Sequence, residues 1–130
     1  MNEIIKFTVL GLPTAKGRPK FARRGKFIAT YTPTKTREAE RDFKVQCLDY
    51  RPQVPLKGAL KVTMRVFKPR PSSYSKKIIH WTTKPDLDNF IKILDALNEI
   101  FWKDDSQITI IHASKEYDVI ARTEIEIEEI

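Results

Sequence analysis

Four stretches of this 130-residue chain read as strands and two as helices from the pattern of apolar and polar positions. Near the N-terminus Ile5, Phe7 and Val9 alternate with Ile4, Lys6 and Thr8, and Gly11-Leu12-Pro13 ends the run. From Gly58 to Phe67 the alternation predicts a half-buried strand: Leu60, Val62, Met64 and Val66 face one way, Lys61, Thr63 and Arg65 the other. Gln107–Glu116 and Ala121–Ile130 read as two more strands, joined near Asp118. In the last one Ile125 and Ile127 alternate with Glu124, Glu126 and Glu128. Ala39, Phe43, Cys47 and Tyr50 lie on one face of a helix predicted over 35–50, with Thr34 as its N-cap and Pro52 and Pro55 beyond its end. A second helix starts near Asp88, where Phe90, Ile93, Leu94, Leu97, Ile100 and Phe101 form the apolar stripe. The order β-α-β-α-β-β predicts a single α/β domain of the α+β type over residues 1–130, with a mixed sheet and two main helices.

Two segments fall outside this pattern. Residues 16–27 are too rich in Gly, Pro and cations for helix and read as a basic loop or irregular hairpin. Residues 68–84 hold two prolines, three serines and five cations, which suggests a mobile, exposed basic loop. Tyr74 and Trp81 in that loop are candidates for stacking on bases.

Charge divides the chain. Residues 1–85 carry 20 Lys and Arg against 5 Asp and Glu, a balance of +15; residues 86–130 carry 4 against 12, a balance of −8; the sum is +7. The cationic part suits a polyanion, and nucleic acid fits better than a membrane surface because no long basic amphipathic helix is evident. Lys16, Arg18, Lys20, Arg23, Arg24 and Lys26 are the first candidate DNA contacts, with Lys76, Lys77 and Lys84 from the second basic loop. The first residues lack the pattern of a signal peptide, and no apolar run approaches the ~20 residues of a membrane span, so a soluble, cytoplasmic protein is expected. The single cysteine, Cys47, excludes an intramolecular disulfide and a Cys-based zinc site.

Five of the eight aspartates fall between residues 86 and 105. Carboxylates placed beside a polyanion need a reason, and a divalent cation such as Mg²⁺ or Mn²⁺ is the simplest one. Asp86 and Asp88 converge only at or before the first helical turn, since two residues apart on a helix they would diverge by roughly 200°. An Asp in this place is most often a cap, and Asp88 suits that role. One cap does not account for two aspartates, Asn89 and a following Lys92. An EF-hand is excluded, because Ile91 and Leu97 stand where its loop needs Gly and Glu. Lys92 shares a helix face with Asp88, Asp95 and Glu99, either as a solvated ion pair or as a cation for a scissile phosphate. Asp104 and Asp105 close the helix, where aspartates suit its dipole poorly and where a polar turn is the plain alternative.

A straight helix from Asp88 to Trp102 would rise about 20 Å. Asp105 would then stand far from Asp86 and Asp88. The helix breaks, or the chain folds back, or two antiparallel copies about a two-fold axis bring each Asp105 to its partner's Asp88.

Three segments resemble the RusA family of Holliday junction resolvases, the crossover junction endodeoxyribonucleases common in bacteria and their prophages. They are Lys16-Gly17-Arg18-Pro19 with Tyr31-Thr32-Pro33, then Asp86-Leu87-Asp88-Asn89 with Lys92, and then Phe101-Trp102-Lys103-Asp104-Asp105-Ser106-Gln107. The resemblance implies Asp86, Asp88 and Asp105 as metal-binding catalytic carboxylates and Lys92 as the catalytic lysine. It also implies dependence on Mg²⁺, with Mn²⁺ as a substitute, a homodimer, and four-way DNA junctions as substrate in recombination and repair, with no small-molecule substrate. The stretch between Phe67 and Pro85 is longer than in compact members. The competing readings are a non-catalytic nucleic-acid-binding module, in which the aspartates are caps and turns, and a nuclease for other branched DNA or for RNA.

Overall fold

Alternation decides the inner face of the sheet. The computed structural model describes residues 4–13, 20–24, 27–31 and 34–130. In β1 (Ile4–Leu10) Phe7 and Val9 are buried while Ile4, Lys6 and Leu10 face outward. In β4 (Leu60–Pro69) Leu60, Val62, Met64 and Val66 are fully buried, and in β6 (Arg122–Glu129) so are Thr123, Ile125 and Ile127. Each such apolar side chain contributes roughly 1.5–3 kcal/mol on leaving water. With β5 (Ile108–Asp118) these strands form a four-stranded mixed sheet in the order β1-β6-β4-β5. β4 and β5 are parallel and the other pairs antiparallel. The strands joined near Asp118 therefore do not pair with each other, because β4 lies between them. The basic segment contributes β2 (Lys20–Arg24) and β3 (Phe27–Tyr31), a separate antiparallel hairpin. The order is thus the expected one with a hairpin added after the first strand.

Helix α1 (Thr34–Leu48) buries Phe43 and Cys47 in the core, and Tyr50 just beyond it stacks on Phe7 at 5.1 Å. The second helix departs from the expectation. α2 is a short α-helix over Leu87–Ile91, continued as a 3-10 helix over Lys92–Leu97, and the run ends there. Asn98 turns extended, Glu99 takes a left-handed φ of 70°, and the Glu99 N–H donates to the Trp102 carbonyl at 2.7 Å. The indole N–H of buried Trp102 donates to Asn98 Oδ1 at 2.6 Å, which closes the reversal. Phe90, Ile93, Leu94, Leu97 and Phe101 are all buried, so the apolar stripe is as expected although the rod is not. The 20 Å rise of a straight helix therefore does not apply.

The outer face of the sheet resolves much of the acidic half. Lys6 pairs with its register partner Glu126 at 3.2 Å, and Arg65 lies between Glu124 at 3.5 Å and Glu116 at 3.8 Å. Arg122 binds Asp118 and Glu124, both at 3.0 Å, and lies over the Phe67 ring. These carboxylates serve strand pairing on the face away from the helices. No helix among the described residues is long and apolar enough to cross a membrane.

Candidate active site

Two turns carry the aspartates that remain. The first runs from Trp81 to Asp88 on the inner side of the sheet. Trp81 is buried, not displayed for bases: it packs on Phe90 at 5.4 Å and on Tyr117 at 6.3 Å. Its indole N–H donates to Thr83 Oγ1 at 3.0 Å, and Lys115 Nζ of β5 donates to the carbonyls of Thr83 and Pro85. The Lys84–Pro85 peptide is cis. Asp86 follows with extended backbone, and its carbonyl accepts the Asn89 N–H at 3.1 Å to open α2.

This geometry moves the cap. Asp86, not Asp88, stands at the N-cap of α2, and its carboxylate makes no capping hydrogen bond. Nor does that carboxylate pair with any other described residue. Asp88 lies in the first turn, exposed, with Lys92 Nζ 3.9 Å away, and the same Nζ reaches Asn89 Oδ1 at 3.3 Å. The ion pair is long and its side chains are more than half exposed, at 69% for Asp88 and 59% for Lys92, so its contribution to stability is small. Asp95, on the 3-10 segment, is half-buried.

The second turn spans Trp102–Gln107. A capping box organises it: Ser106 N–H donates to Asp104 Oδ2 at 3.1 Å, and Gln107 Oε1 accepts the Asp104 N–H at 2.9 Å and the Lys103 N–H at 2.8 Å. The Gln107 amide donates in turn to the carbonyls of Leu56 and Gly58, so its four hydrogen-bonding positions are all used. Ser106, through its hydroxyl first and its N–H second, holds the Asp104 carboxyl below the usual carboxylate range. Asp105 is the neighbour left over: it is exposed, and its side chain bonds to no described residue. Gln107 carries no chemistry of its own and was not among the expected site residues. Its signal was the S/T/D-x-x-E/Q spacing from Asp104, which reads as a capping box.

Among the described residues no three His, Cys, Asp or Glu side chains form a ready-made cation site. Asp86 and Asp88 sit together at the start of α2, and Asp105 stands on the other turn. Exposed carboxylate oxygens without capping partners are the donor chemistry that Mg²⁺ takes. That ion uses one or two carboxylates completed by water and substrate phosphate rather than an all-protein cage. His80 pairs through its backbone with Glu116, and His112 is exposed on β5, so neither histidine faces these turns through any described contact.

Of the basic positions, Lys76, Lys77 and Lys84 are exposed, Lys84 two residues before Asp86. Lys76 lines a shallow groove of about 320 Å³ with Arg70, Tyr74, Asp118 and Val119. Tyr74 meets Tyr117 edge-on at 5.7 Å. Lys20, Arg23 and Arg24 belong to β2 by backbone, and Lys16, Arg18 and Lys26 lie outside the described residues.

Residues 11–128 match the family model described as Endodeoxyribonuclease RusA. The chain is also 34% identical over 139 aligned residues to the uncharacterized protein YqaN of Bacillus subtilis (strain 168), covering 98% of both chains. The three sequence segments, the turns that carry their aspartates and a match spanning nearly the whole chain agree: this protein belongs to the RusA endodeoxyribonuclease family.

Proposed function

We propose that the protein is a divalent-metal-dependent, structure-selective DNA endonuclease that resolves Holliday junctions by paired phosphodiester hydrolysis. The observation that carries this reading is the carboxylate of Asp86, which occupies a cap position and does not cap. The reading of these aspartates as mere caps and turns fits Asp104, which does cap, and leaves Asp86 and Asp105 without a role. A non-catalytic DNA binder would gain only repulsion from them.

Asp86 and Asp88 would hold the Mg²⁺, or Mn²⁺ in its place, with Asp105 as the third carboxylate. When bound, the ion supplies an activated water and stabilises charge on the phosphorane and the leaving oxygen. Lys92 is exposed and only loosely paired, so its ammonium can turn from Asp88 toward a phosphate oxygen and offset charge in the transition state. Lys76, Lys77 and Lys84, with the basic residues from Lys16 to Lys26, would hold the DNA backbone. A homodimer suits a substrate cut on two opposed strands, because two-fold symmetry presents one site to each.

The test is cleavage of a synthetic four-way junction and of a linear duplex of the same sequence, with Mg²⁺ or with chelator. Symmetric nicks in the junction alone, and only with metal, are expected. Cutting of the duplex at the same rate, or of the junction in chelator, would contradict the proposal.

A further inference from the structure

The carboxylates of the proposed site are at the surface, but one ammonium group roots the turn that carries Asp86. Lys115 lies on β5 opposite Val66 of β4, on the side of the sheet that meets α2. Its Nζ donates to Thr83 O at 2.6 Å and to Pro85 O at 2.7 Å. The Pro85 carbonyl belongs to the peptide that leads directly into Asp86. The same Nζ lies 5.3 Å from the centroid of the Trp81 ring, and Lys68 Nζ lies 4.7 Å from it. Trp81 is thus fixed by two cations, by Phe90 and Tyr117, and by its bond to Thr83. Two of the three ammonium donors of Lys115 go to backbone carbonyls of a single turn, and that turn carries a carboxylate with no restraint of its own.

We propose that Lys115 is a positioning residue for the cation site: it fixes the Thr83–Pro85 turn and through it the direction of Asp86. This rests on the reading of Asp86 as a metal ligand. Electrostatics and positioning predict opposite signs, which makes the proposal testable. A cation bonded to the turn that carries Asp86 repels Mg²⁺, so removing the charge alone would tighten metal binding. Removing the clamp loosens the ligand and weakens binding, and loss of such outer support typically costs about 10–100-fold in metal affinity or activity.

The experiment titrates Mn²⁺ by electron paramagnetic resonance into the wild type, Lys115→Met and Lys115→Arg without DNA, and then measures the Mg²⁺ dependence of junction cleavage. Lys115→Met is expected to lose about tenfold or more in Mn²⁺ affinity and to need correspondingly more Mg²⁺. Lys115→Arg, which keeps charge and donors, is expected to restore most of the loss. Unchanged or tighter Mn²⁺ binding by Lys115→Met, in a protein whose wild type cuts junctions, overturns the proposal and leaves the nuclease reading standing. A wild type that neither binds Mn²⁺ nor cuts overturns both. If Lys115→Met loses the far-ultraviolet dichroism of the wild type, Lys115→Gln is judged by the same criteria.

Discussion

Asp104 and Asp105 are adjacent, both exposed and both acidic, yet they are held differently. Asp104 accepts from Ser106 and closes a capping box; Asp105 bonds to no described residue. Asp104→Ala should therefore lower the thermal midpoint, while Asp105→Asn should leave it unchanged and abolish cleavage; calorimetry and a nicking assay separate the two. The cap also sets a pH dependence. The Asp104 carboxyl is lowered from its ordinary 3.8, so the unfolded chain takes up the proton first. Its contribution is complete above that value and is lost as pH falls through the lower folded one. Thr123 offers a second test. Its hydroxyl is fully buried in β6 without a hydrogen-bond partner among the described residues. Removing an unsatisfied polar group of the same shape removes a penalty, so Thr123→Val should be neutral or raise stability by about 1 kcal/mol in urea denaturation. The position of Asp86 was half legible in the sequence: its place before a helix was readable, but whether it caps is a matter of side-chain direction.

The second helix shows where a pattern stops being informative. Helical spacing placed Phe90, Ile93, Leu94 and Leu97 correctly in the core, because an α turn followed by a 3-10 turn keeps nearly the same face inward; Phe101, beyond the break, is buried as well. It did not show the break, because no Gly or Pro stands between Asp88 and Trp102. The reversal depends on Glu99 in a left-handed conformation and on a contact between Asn98 and Trp102. A side chain at positive φ costs roughly 1–2 kcal/mol, which Gly avoids. Glu99→Gly should then stabilise the protein by up to about 1 kcal/mol net of the added flexibility of the unfolded chain, with cleavage intact. A loss of more than that in denaturant would show that Glu99 holds the reversal by its side chain. Trp81 errs in the other direction. Beside cations in a Ser- and Pro-rich stretch it read as a stacking residue, yet it is buried, with Lys68 from that stretch and Lys115 from β5 over its ring.

At the scale of the whole molecule, the charge division of the sequence has two causes. Glutamates of β5 and β6 balance Lys6, Arg65 and Arg122 on the outer face of the sheet. Asp86, Asp88 and Asp105 are left on two turns. The first group was readable from the alternation of Glu and Ile along β6. The separation of the second group was not readable, since it depends on the broken helix and on the bonds of Gln107 and Lys115 to neighbouring backbone. The excess of cations has a consequence of its own: junction affinity should fall steeply with salt, by the release of one counterion per phosphate contacted. A plot of log affinity against log salt that stays flat would remove the basic segments from the interface. The central claim is that the aspartates at the start of α2 perform metal-dependent hydrolysis, and its most direct measurement compares wild type with Asp88→Asn on a synthetic four-way junction in Mg²⁺. The account predicts that the variant binds the junction as well as the wild type and does not cut it; equal cleavage by both proteins would contradict it.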